Sequence, residues 1–269
     1  MKRIIPGTLG LAVALASLTL AAAPSVPTAR SGANIPGSEG GPGGVTSYNW
    51  SGFAAASASA KRFTFVTAKW KVPKATCLGT VNESHAFWVG LDGFSDNTVE
   101  QGGTYAYCSG TSPSYYAWWE MYPTNDIQIA YGVFPGDSIT ASVTYASGKF
   151  KIVVNDTTTA HRHSFSTTQT CASGLTCTRS SAEWIGEAPT YGGSIGNLAE
   201  WSNTTAQEQI GFSSAYATAG GKKLGIGFFS YTGINMINQS GTYNLAAPGP
   251  VGEGGPSNTD FLDYWFAES

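Results

Sequence analysis

The side chains in this sequence that could do chemistry are mostly carboxylates, amides and aromatics. There are 17 acidic side chains but only three histidines and four cysteines. Nothing reads as a strand-turn-helix elbow that would present a serine nucleophile. No His-Glu-x-x-His is present to bind zinc, and no Asp-Thr-Gly or Asp-Ser-Gly would supply a pair of aspartates. No glycine loop cradles phosphate: Gly40-Gly41 and Gly254-Gly255 are loop composition. His161 and His163, in Thr-Ala-His-Arg-His, read as exposed and passive. A hydrolase built from what remains uses a carboxylate as general acid and base. Peptidases and glycosidases both work that way. Taken alone, Glu187 reads as a solvated strand carboxylate and Gln101 as a surface amide.

Strands must hold such groups, because helical periodicity is nearly absent. Strand signals fall at 63–72, 85–92, 115–122, 138–145 and 149–155, the last two flanking a hairpin turn at Ala146-Ser147-Gly148. Further strands are expected near 162–165, 182–187, 207–212 and 223–229. Many short strands with frequent turn residues point to a two-sheet sandwich. Side chains alternate along a strand. Trp88 and Asp92 therefore share a face, as do Tyr116, Trp118, Glu120 and Tyr122, and as do Glu183, Ile185 and Glu187. A polar, aromatic face repeated on several strands describes the lining of a cleft rather than a dry core.

Composition sets the outer limits. Charged residues make up 12%, against about 25% in an average globular chain. The net charge is −3 and there is no basic patch, so nucleic acid is not an expected partner. Lys2 and Arg3, the apolar run 9–20 and Ala21-Ala22-Ala23 spell a secretory signal over 1–23. No later stretch is long and apolar enough to span a bilayer. Residues 24–45 are a Gly/Pro/Ser-rich leader or short pro-segment, and 46–269 are expected to form one β-sandwich domain. An exported, soluble monomer follows, without metal or cofactor. Four cysteines in such a chain suggest disulfides. The short loop between Cys171 and Cys177 pairs those two and leaves Cys77 for Cys108.

Three segments together resemble the glutamic peptidase (eqolisin) family. The first is Trp88-Val-Gly-Leu-Asp-Gly93 followed by Glu100-Gln-Gly-Gly103. The second is Tyr115-Tyr-Ala-Trp-Trp-Glu-Met-Tyr-Pro123, and the third is Ser181-Ala-Glu-Trp-Ile-Gly-Glu-Ala-Pro189. A weaker fourth is Asn49-Trp50-Ser51-Gly52, and the likeness runs over roughly residues 48 to 266. It implies two seven-stranded antiparallel sheets of lectin-like (concanavalin A-like) topology. It also implies a pepstatin-insensitive acid endopeptidase acting on proteins or peptides. The family's catalytic glutamate maps to Glu187 and its glutamine to Gln101. Trp88, Asp92, Trp118, Glu120 and Tyr122 match supporting positions in the cleft, with Glu183 structural or cleft-supporting. The chain departs from the family at Tyr116, where an aspartate is usual. The Asp92-to-Gln101 link is one residue shorter than in fungal members, and a long pro-segment is missing. Two other readings remain open at this point. One is a lectin-fold glycosidase pairing Glu120 with Glu183 or Glu187; the other is a carbohydrate-binding sandwich without catalysis.

Overall fold

The computed structural model describes residues 44–56, 62–205, 207–255 and 258–269. The expected signal 1–23 and most of the leader lie outside the described residues. The expected all-β antiparallel architecture is present. Fourteen strands follow one continuous hydrogen-bonded path, and every pairing along it is antiparallel.

One end of the path runs His163–Gln169, Lys149–Asp156, Ser138–Ala146, Phe63–Lys71 and Gln209–Ala219. The other runs Ser230–Ile237, Trp50–Ala56, Ser181–Glu187, Ser84–Leu91, Val99–Ser109, Ser112–Tyr122 and Ile127–Gly132. Phe261–Trp265 and Asn244–Pro248 join them. The count suits two sheets of seven, but hydrogen bonds pass from layer to layer without a break. Gln209–Ala219 turns that corner. Its first residues pair with Phe261–Trp265 and its later ones with Phe63–Lys71. The register shifts between Ser213 and Tyr216, with Ser214 at φ 53°. A bulge of this kind bends a strand and raises its twist.

The strands at 138–146 and 149–156 lie over those at 84–91 and 99–109. Phe87, Val89, Leu91 and Trp184 from one layer pack there with Val143, Ile152, Val154 and Phe212 from the other. Disulfides join Cys77 to Cys108 and Cys171 to Cys177, as the spacing suggested.

Most of the expected strands form within two or three residues of their expected limits. The hairpin at 146–149 forms too. The stretch 207–212 proves to be the start of the longer strand Gln209–Ala219. The stretch 223–229 becomes a short strand, Lys222–Gly225, and a 3-10 turn, Ile226–Phe228. His161 departs from its passive reading. It is half-buried and bridges Asp137 at 3.3 Å and Asp156 at 3.0 Å. These three residues have metal-ligand chemistry, with ligand atoms within 4.8 Å of one another. Their oxygens already accept from His161, Thr158 and the Phe134 amide.

Gly103 shows how tightly the sheet is drawn. A Cβ there would clash with the Phe87 carbonyl oxygen and sit 2.7 Å from Trp88 Cβ. Gly103→Ala should therefore cost on the order of 1–3 kcal/mol, as overpacking does. A thermal melt measures it; an unchanged midpoint would contradict the packing described.

Candidate active site

The cross-strand register decides which side chains share a face. Glu187 lies opposite Ala86, and Ala86 opposite Tyr105. Ile185 aligns with Trp88, then Gly103, then Trp118. Glu183 aligns with Gly90, then Gln101, then Glu120. Val99 pairs with Tyr122. Directly opposed residues point the same way. All of these groups therefore stand on one face of the layer that runs from Ser230–Ile237 to Ile127–Gly132, opposite the face that packs into the main core. The parity read from the sequence holds on the strands 112–122 and 181–187; Asp92 lies past the end of the 84–91 strand at φ 68°, so the alternation that put it with Trp88 does not reach it.

The expected cleft differs in one respect: this face is covered. Glu187, Glu183, Trp88 and Trp118 are fully buried, and Gln101 and Glu120 nearly so. Trp50, Trp88, Trp118, Tyr105, Tyr116 and Ile185 form a second apolar cluster, rimmed by Val45, Phe94, Tyr107, Tyr122 and Tyr191. Trp50 meets Trp88 edge-on, with ring centroids 4.9 Å apart.

Within this cluster the polar groups fall into two sets. In the first, Trp88 Nε1 donates to Glu187 Oε2 at 2.7 Å, and Asn49 Nδ2 donates to Glu187 Oε1 at 3.3 Å. Gln101 Nε2 donates to Glu120 Oε2 at 2.5 Å. Gln101 Oε1 and Glu120 Oε1 are buried without a hydrogen-bond partner. Burial pushes Glu187 up to about 8, against the pull of Trp88, Trp50 and Asn49. Burial raises Glu120 well above the usual carboxylate range, and the charge of Glu187 adds to it. Glu187 is therefore the better solvated anion of the two. The Trp88 indole connects these groups sterically. Its Nε1 end holds Glu187, while a Cβ on Gly90 would meet its other end at 2.9 Å.

The second set gathers where the 84–91 strand ends. Asp92, at φ 68°, accepts from the Arg179 and Ser180 amides at 2.6 Å and from the Thr178 hydroxyl at 2.9 Å. It thereby ties down the residues that lead into the 181–187 strand. Asp96 shares Thr178 and Ser180 with it. Burial raises Asp92 to about 6 and Glu100 to about 10. Glu183, with both oxygens unpartnered, is raised well above its usual value by burial. Asp92 is thus a support rather than part of the covered face, and Glu100, which stands in the first motif without an assigned role, is a buried acid. Gly192–Gly196 spells Gly-x-Ser-x-Gly, but it forms a hairpin with Ser194 exposed and no helix behind it.

A sandwich with a buried carboxylate, its N–H donors and a nearby amide holds the groups that a carboxyl-dependent hydrolase uses. Comparison with known proteins makes that specific. The profile of the Peptidase A4 family matches residues 48–248, and the chain belongs to that family. It is a peptidase of the glutamic type. Scytalido-glutamic peptidase bound to a transition state analog inhibitor superposes with a TM-score of 0.66 at 23% identity, covering 81% of this chain and 98% of that one. SCP-B, an eqolisin in complex with the tripeptide Ala-Ile-His, gives 0.63 at 22% identity, over 81% and 98%. Aspergilloglutamic peptidase from Aspergillus niger gives 0.57 at 24% identity, over 68% and 99%. Among curated proteins nothing matches. Membership favours the peptidase reading over the glycosidase and the carbohydrate-binding module.

The buried acids fix the sign of the pH response. Asp92 (about 6), Asp263 (about 7), Glu187 (about 8) and Glu100 (about 10) all have folded values above their unfolded ones. Their contribution is complete below about pH 4 and is lost as pH rises through the folded values, by up to about 1.4 kcal/mol per unit for each group. His85, lowered to about 4 by burial, opposes them only below about pH 6.5. The thermal midpoint should therefore fall steadily from mild acid to pH 8. A midpoint rising over that span would refute this account of the buried acids.

Proposed function

We propose that the chain is a secreted, pepstatin-insensitive acid endopeptidase in which Glu187 and Gln101 are the catalytic pair. The observation that carries it is the setting of Glu187. It is a buried carboxylate with indole and amide N–H donors, on the same face as a glutamine whose carbonyl oxygen has no partner.

Uncovering the face admits water and removes the desolvation that holds Glu187 near 8. The donors then act alone and keep its value low, so it ionises in acid where a histidine base would be protonated. Ionised Glu187 takes a proton from an attacking water and returns it to the leaving nitrogen. Negative charge develops on the former carbonyl oxygen of the substrate. Gln101 spends one amide proton on Glu120; the other can donate to that oxygen, and its carbonyl can hold the water. Glu120 accepts from Gln101 and orients it, and the nearby charge of Glu187 continues to raise Glu120, so that it does not compete as a base. Two disulfides support an oxidising compartment and agree with export through the signal at 1–23. Peptide or protein substrates follow from the reaction, and the residues in these roles require neither metal nor cofactor.

Hydrolysis of a denatured protein from acid to neutral pH, with pepstatin present, tests the reading. Gln101→Ala should lower kcat roughly 10²–10³-fold, the loss typical of one oxyanion donor. Glu187→Gln should lower it by roughly 10²–10⁴-fold or more. Full activity in Glu187→Gln would remove Glu187 from the mechanism. Trp88→Phe deletes the donor to Glu187 Oε2. The acid limb of kcat/KM should then move up by about one to two pH units, since a hydrogen bond to a charged group is worth about 1.5–3 kcal/mol. An unmoved limb would mean that Trp88 does not tune the base.

A further inference from the structure

The row of side chains that contains Glu187 continues into a tyrosine cluster that the catalytic pair does not use. Across the sheet it reads Trp50, Glu187, Ala86, Tyr105, Tyr116. Ala86 offers only a methyl group between Glu187 and Tyr105, the smallest side chain in the row. The rings of Tyr105 and Tyr116 stack, with centroids 4.7 Å apart and planes 21° from parallel. Tyr116 is 6% exposed, and its hydroxyl is buried without a partner. A buried hydroxyl with nothing to bond costs free energy and marks a place where a polar atom can be taken up.

Tyr191 closes this site from above. It sits on the hairpin Thr190–Tyr191 to Ser194–Ile195, with its hydroxyl against that of Tyr105 and its ring centroid 6.0 Å from that of Tyr107. The hairpin turns through Gly192 and Gly193, both at positive φ, and a Cβ at either would meet nothing within 4 Å. Beside its tip lies a cavity of about 320 Å³ lined by Tyr48, Gly193, Ser194, Ile195 and Gln239. The turn is therefore unpacked and has room next to it.

We infer that Tyr105 and Tyr116 are the floor of a subsite for an aromatic substrate side chain, and that Tyr191 fills this subsite until substrate displaces it. The inference rests on the peptidase reading above. An entering ring takes the place of the Tyr191 ring, beside that of Tyr107, with its far end against the hydroxyl of Tyr105. A tyrosine side chain also brings a hydroxyl to the orphaned one of Tyr116. The substrate class is a peptide with tyrosine, and next phenylalanine, beside the scissile bond.

The test uses the full-length secreted protein and a set of otherwise identical peptides. One residue at a time, on each side of the scissile bond, is varied among Tyr, Phe, Leu, Ala and Lys. At one of these positions kcat/KM for Tyr should exceed that for Ala by about tenfold or more. A flat profile in an enzyme that cleaves the set would overturn the subsite and leave the peptidase reading standing. No cleavage of any peptide by folded protein would sink both. Tyr116→Phe keeps the stack and should abolish the advantage of Tyr over Phe. Tyr116→Asp should transfer the preference to Lys. Profiles identical to wild type in both variants would overturn the assignment of Tyr116. Tyr191→Ala should lower KM several-fold with kcat little changed, whereas an unchanged KM would mean that the ring does not compete with substrate.

Discussion

A carboxyl group taken out of water keeps its proton unless hydrogen-bond donors go with it. The covered face of this sandwich is organised around that constraint. Glu183 and Glu100 are buried with unpartnered oxygens, and burial pushes both well above the usual carboxylate range. Glu187 is buried as deeply, but Trp88 and Asn49 point N–H groups at it. The differences among these acids come from where the donors stand, and the donors stand where the strand register puts them.

That register depends on small residues. Gly90 and Gly103 lie on the covered face between large neighbours; the Trp88 indole ring abuts Gly90, and the Phe87 carbonyl and the Trp88 Cα and Cβ crowd Gly103. A side chain at Gly90 would push on the indole and, with it, the donor to Glu187; one at Gly103 would push the two strands apart. The aromatic content of the face is therefore not only apolar filling. It carries a hydrogen-bond donor in a shape rigid enough to hold a carboxylate in one place. Asp92 acts at a greater distance, by fixing residues 178–180 and so the start of the strand that bears Glu183 and Glu187.

Much of this was legible in the sequence. Period-two alternation gave the shared face of Trp88, Trp118, Glu120, Glu183 and Glu187, and loop length gave both disulfides. The strands that escaped notice escaped for physical reasons. Trp50–Ala56 is rich in alanine and glycine, which have little β propensity of their own. It is a strand because Ser181–Glu187 and Ser230–Ile237 flank it. Val99–Ser109 contains a glycine pair, which weakens a strand signal; Gly102 is hemmed in by Ile152 and Val154, and Gly103 by Phe87 and Trp88. Covering of the face was not legible, since alternation says which residues share a side but not what lies above them. Tyr191 belongs to a two-residue strand, Asn49 to a bend, and neither carries a periodic signal. His161 was misread because its partners, Asp137 and Asp156, come from two different strand ends.

The strand Gln209–Ala219 is hydrogen bonded in both layers. Neither layer can detach with its own set of strands intact, so the molecule has no natural seam along which half of it could loosen. Partial opening is the state in which a folded chain is most readily cut. A peptidase is surrounded by copies of itself, each able to cut any segment that comes loose. A strand shared between layers ties the loss of one to the loss of the other, and in that way protects the molecule from its own kind.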